Sequence, residues 1–90
     1  MKQFKINMDA MKLVEGFQMK FDNEVVVSIG FGEMHMCNGG ETTSEVAVFR
    51  GNDWFTLEDN QLVETKVSKP MAHCSPDDVV EILNLAKQIK

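Results

Sequence analysis

Ser75-Pro76-Asp77-Asp78 opens the one stretch of this chain in which every local signal agrees. A serine at the N-cap offers its side-chain oxygen to the free N–H groups of a first helical turn, and proline is tolerated at the first helical position. The acids that follow suit the positive end of a helix dipole. Ser75-x-x-Asp78 approximates a capping box. Val79, Ile82, Leu83, Ala86 and Ile89 then recur at three- and four-residue spacing, which makes one apolar stripe. Asp77, Asp78, Glu81, Asn84, Lys87, Gln88 and Lys90 fall mostly on the other side, with the lysines towards the end. A helix this short is marginal in water by itself. It must dock on whatever the preceding residues build.

Those residues read as strands. Gly16-Phe17-Gln18-Met19-Lys20-Phe21 alternates apolar and polar, the period of a half-buried strand. Asp22-Asn23 follows, and both residue types tolerate the positive φ of a tight hairpin. In Glu24–Gly32, Val25, Val27, Ile29 and Phe31 share one face, and Ser28, Gly30 and Gly32 share the other. Asn38–Thr43 reads as a loop, Ser44–Arg50 as a strand and Gly51-Asn52-Asp53 as a turn. Trp54–Leu57 and Leu62–Val67 are two further strands, with Glu58–Gln61 turning the chain between them. Lys66 and Lys69 would guard the last strand as a sheet edge. Residues 9–15 fit either a short helical turn capped by Asp9 or a loop. Turns this short force neighbouring strands to run antiparallel. The expected fold is α+β: one domain over residues 1–90, an antiparallel sheet of four to five strands with the C-terminal amphipathic helix packed on one face.

Charge narrows the partners. Nine basic against fourteen acidic residues leave a net charge of −5, which disfavours direct nucleic-acid binding and suits a basic protein surface. The longest apolar runs, such as Val25–Val27, fall far short of the ~20 residues of a membrane span. The first residues show no apolar core of a secretion signal, so the expectation is a cytoplasmic protein with reduced thiols. Seven methionines in 90 residues suit irregular cores and adaptable interfaces.

Candidate chemistry is sparse. His35-x-Cys37 would point two ligands to the same side of an extended segment, while the adjacent His73 and Cys74 would point apart. These four form a candidate metal or redox set, although a Cys₂His₂ zinc site normally has wider spacings. Buried thiols acting as small hydrophobes are the plainer reading, and a Cys37–Cys74 disulfide would need an oxidising compartment. No flank resembles a nucleophile motif, and Gly30-x-Gly32 lacks the third glycine and following helix of a phosphate loop. The expectation is a non-enzymatic protein without a cofactor. Candidate binding residues are Met34 and Met36, which share a face, Trp54, and the acids Glu41, Glu58 and Asp59. A domain this small cannot bury every large apolar side chain, so some are free to meet a partner.

The run Phe21-x-Asn23-x-x-x-Val27-Ser28-Ile29-x-Phe31-Gly32, then Cys37-Asn38, Glu45-Val46-Ala47-Val48, Trp54 and Ser75-Pro76-x-x-Val79 resembles short, mostly uncharacterised proteins encoded by tailed bacteriophages. The resemblance spans about residues 16–89. Its motifs are turns, strands and a cap, and they bring no catalytic residues. Members usually have Asn-Gly at the first turn, where this chain has Asn23-Glu24. The resemblance implies a protein acting in the cytoplasm of the host cell by binding a host protein, for instance inhibiting a nucleic-acid-binding defence component of a CRISPR or restriction system. Two alternatives stand beside it. One is a small metal-binding or redox domain using His35, Cys37, His73 and Cys74. The other is a structural homo-oligomer, in the simplest case a homodimer formed through a strand edge or a Met-rich face.

Overall fold

A computed structural model describes residues 3–8, 14–31 and 44–90. Seven strands precede one helix: β1 (Gln3–Met8), β2 (Val14–Lys20), β3 (Val26–Gly30), β4 (Ser44–Arg50), β5 (Asp53–Glu58), β6 (Gln61–Thr65), β7 (Met71–Cys74) and α1 (Pro76–Ala86). Every pairing is antiparallel, in the order β1-β2-β3-β4-β5-β6, with β7 beside β4. The sheet therefore exceeds the expected four to five strands, and β1 and β7 are the additions. β7 has four residues and a local irregularity against β4, so it carries no readable period of two. Of the ambiguous residues 9–15, the last two, Val14 and Glu15, begin strand β2 rather than ending a helical turn or loop, while 9–13 and the loop expected at 38–43 lie outside the described residues.

The turns follow from their residues. Asp59 and Asn60 both have positive φ (51° and 61°), as the two central residues of a type I′ hairpin require. Gly51, the first of two loop residues between β4 and β5, has φ +60°, which glycine adopts without strain. The β2–β3 turn differs from expectation. Its left-handed residue is Glu24 (φ 69°), not Asp22 or Asn23. Glu24 also pairs with Lys20 at 2.9 Å. Gly16 is the residue that lets β2 lie close to β3. A Cβ there would run into the Ile29 carbonyl oxygen and stand 3.0 Å from the Gly30 Cα.

The bulky face of β3 is the core face. Val25, Val27, Ile29, Val46, Val48, Phe55 and Cys74 are buried together with Ile82 and Ala86 of the helix. Phe17, Met19, Phe31, Leu57, Leu62, Val79, Leu83 and Ile89 pack around them. The helix lies mainly over β3, β4, β6 and β7. Its start is as expected: Asp78 N–H donates to Ser75 Oγ (3.1 Å), and Ser75 N–H donates to the Asp78 carboxylate (2.9 Å). Its end is held differently. No basic residue occupies the last turn. Instead Asn23 Nδ2 donates to the carbonyls of Ala86 (2.9 Å) and Ile89 (2.8 Å), while its Oδ1 accepts from Val25 N–H (3.0 Å). Arg50 adds Nη1 to the Asn23 carbonyl (3.4 Å) and Nη2 to the Lys90 carbonyl (3.3 Å). One hairpin side chain thus ties the sheet to the carbonyl end of its only described helix.

Candidate binding face

Among the described residues, no element packs on the sheet face opposite α1. The strand registers set a row straight across that face: Gln3, Lys20, Val26, Phe49, Trp54, Thr65. Phe49 and Trp54 meet with ring centroids 5.2 Å apart and planes tilted by 32°. Offset or tilted aromatic pairs of this kind hold each other in place beyond their simple burial. The neighbouring rows are low in the middle of the sheet. One runs Lys5, Gln18, Ser28, Ala47, and the next runs Asn7, Gly16, Gly30, Glu45. Side-chain height therefore falls from an aromatic wall to a floor of Ser28, Ala47 and the two glycines. A step of that shape can receive a side chain from another molecule.

The face also contains a fork. β5 pairs with β4 only along Val48–Arg50, and β7 takes the same edge of β4 along Ser44–Val46. Beyond Phe55, β5 keeps β6 alone as its neighbour. Thr56, Thr65, Val67, Lys69, Pro70, Met71 and Ala72 line the resulting cleft, which has a volume of about 330 Å³. Thr56 and Thr65 share the face of Trp54, so the cleft continues the aromatic row.

The sequence-derived candidates fall unevenly on this surface. Trp54 is at its centre, half-buried against Phe49. Glu58 ends the same strand on the same face, about 13 Å further along at ~3.3 Å per residue. Asp59 is exposed in the hairpin turn, where its positive φ serves the backbone. Met34, Met36, Glu41, His35 and Cys37 lie outside the described residues. Phe49 is the residue sequence reasoning missed. Its signal was present, since it sits out of phase with Val46 and Val48 and two loop residues from the strand of Trp54.

His73 and Cys74 point apart, as adjacent strand residues do. His73 is exposed, with φ 54°, whereas Cys74 is buried and its Sγ donates weakly to the Met71 carbonyl (3.7 Å). No group of three His, Cys, Asp or Glu side chains comes together among the described residues. Burial, then the nearby Asp78 carboxylate, pushes the Cys74 thiol above its ordinary range. The unfolded thiol therefore ionises first as pH rises. Stability linked to Cys74 is complete below the ordinary thiol value of about 8.5 and is lost as pH climbs through the folded value. Urea unfolding above about pH 8 is expected to show stability falling with pH more steeply in the parent than in Cys74→Ala. Equal slopes would mean that the thiol is not shielded. Among the described residues no helix is long and apolar enough to cross a membrane. No protein-family model, no curated protein and no solved structure matches this chain.

Proposed function

We propose that this is a non-enzymatic binding protein of the phage-encoded kind, which acts in the host cytoplasm by occupying a host protein. The observation that carries this reading is the Phe49–Trp54 pair, set on a sheet face that no described element covers and beside a floor of small residues. Aromatic side chains in partly enclosed settings are the usual anchors of protein interfaces, because they bring large contact area at small entropic cost. The net charge of −5 supports a basic partner. A basic nucleic-acid channel, such as that of a CRISPR or restriction component, is the type of surface an acidic domain can fill. The likeness to short phage proteins points the same way.

Affinity capture from host lysate tests this. The parent protein is expected to retain a specific host protein, and Trp54→Ala is expected to lose it while keeping the parent's far-ultraviolet circular dichroism. Failure of the parent to retain any specific protein would overturn the reading. So would retention of the same protein by a folded Trp54→Ala variant.

A further inference from the structure

The two edges of the sheet are built differently. β6 is short, has α1 packed against it, and carries Glu64 on the helix side opposite Phe55. Lys66 follows directly, so charge flanks that edge as it does in proteins that avoid edge-to-edge pairing. β1 has little such protection. It pairs with β2 on one side along all six of its residues, and among the described residues no strand lies on its other side. Phe4 and Ile6 lie opposite Met19 and Phe17, on the core side of the sheet, yet they are 61% and 60% exposed. Near Phe4 this apolar strip meets an open hollow of about 530 Å³, lined by Met19, Phe21, Asp22, Asn23, Lys87 and Gln88. Among the described residues, the core face thus continues past the helix and ends without cover at the β1 edge.

We infer that a second copy of this chain pairs with β1, antiparallel and about a two-fold axis, to make one continuous sheet through both subunits. The strand is complementary to itself. Phe4-Lys5-Ile6-Asn7-Met8 alternates apolar and polar symmetrically about Ile6, so two antiparallel copies centred there match apolar with apolar. Lys5 is the single charge in β1. The register that sets Ile6 opposite Ile6 of the second copy sets Lys5 opposite Asn7 of the second copy. No like charges then meet, and the fourteen acids of the chain lie outside this strand. The pairing gives the outer side of each β1 a run of backbone partners and joins the two Phe4–Ile6 strips into one apolar cluster. This inference stands apart from the reading of the Phe49–Trp54 face, which lies on the opposite side of the sheet.

Light scattering of the purified full chain over a concentration series tests it. The parent is expected to pass from monomer to dimer as concentration rises. Ile6→Lys is expected to raise the dimer dissociation constant by about tenfold or more with unchanged circular dichroism, a loss of ~1.4 kcal/mol or greater. Val80→Lys, at a comparably exposed helix position, is expected to dimerise like the parent. Should Ile6→Lys lower the folded fraction, Phe4→Lys provides the same reading from the neighbouring exposed position. A parent that stays monomeric throughout would overturn the inference. So would a dimer that folded Ile6→Lys or Phe4→Lys leaves intact.

Discussion

Ile82→Ala is expected to lower the unfolding free energy by about 2–5 kcal/mol. Ile82 has no exposed surface and sits where the helix meets the central strands, in the same cluster as Val27, Val46 and Val48. Truncation removes the transfer free energy of the lost methyl groups. It also leaves a hole that valines on a hydrogen-bonded sheet are poorly placed to fill, because their backbone cannot move inwards without breaking the ladder. A domain of this length has only ~5–13 kcal/mol to lose. The loss also weakens the helix itself, which has eleven residues and depends on docking to persist. Urea unfolding of the variant measures the effect. Val80→Ala, at a position 57% exposed on the same helix, should change stability by no more than about 0.5 kcal/mol. Similar losses at the two positions would contradict the placement of the helix.

Asn23→Ala is expected to cost about 2–4 kcal/mol, a large effect for a residue in a hairpin. Its amide satisfies the Ala86 and Ile89 carbonyls, and its oxygen satisfies the Val25 N–H. Each such bond contributes a net ~0.5–1.5 kcal/mol, and a part-buried group left without a partner adds a desolvation penalty. Asn23→Asp discriminates between causes. It keeps the acceptor for Val25 N–H but loses both donors, and it sets a carboxylate against the negative end of the helix dipole. It should therefore destabilise at least as much as alanine at neutral pH. If aspartate were tolerated, the hairpin turn alone would explain Asn23, and the tie to the helix would not.

These two residues show what the sequence made readable. Helix α1 was legible because its signals are local: a cap, a proline, two acids and a stripe within fifteen residues. Ile82 belonged to that stripe, although spacing alone could not rank it above Leu83, which is only half-buried. Strands β2 to β6 were legible from alternation and turn residues. β1 was not, because two apolar residues in a short segment make a weak pattern. β7 was not, because His73 takes a positive φ inside it and its pairing with β4 spans some thirty residues. The link from Asn23 to residues 63 and 66 positions away leaves no local trace at all. At the binding face, Trp54 was legible as a large apolar side chain that so small a domain need not bury. The wall it forms with Phe49 became visible only with the β4–β5 register. Glu58 and Asp59 attracted notice as acids, and their strand-end and turn positions set them away from the aromatic centre.

Trp54 is the single tryptophan of the chain, so its emission reports this face and nothing else. Acrylamide quenching of the free protein, repeated at saturation with the host protein it retains, tests the binding face most directly. Trp54 is expected to be quenched in the free state, then to shift to shorter wavelength and become protected when the complex forms. A complex that forms by mass while the emission and quenching of Trp54 stay unchanged would place the contact elsewhere on the molecule and contradict the assignment.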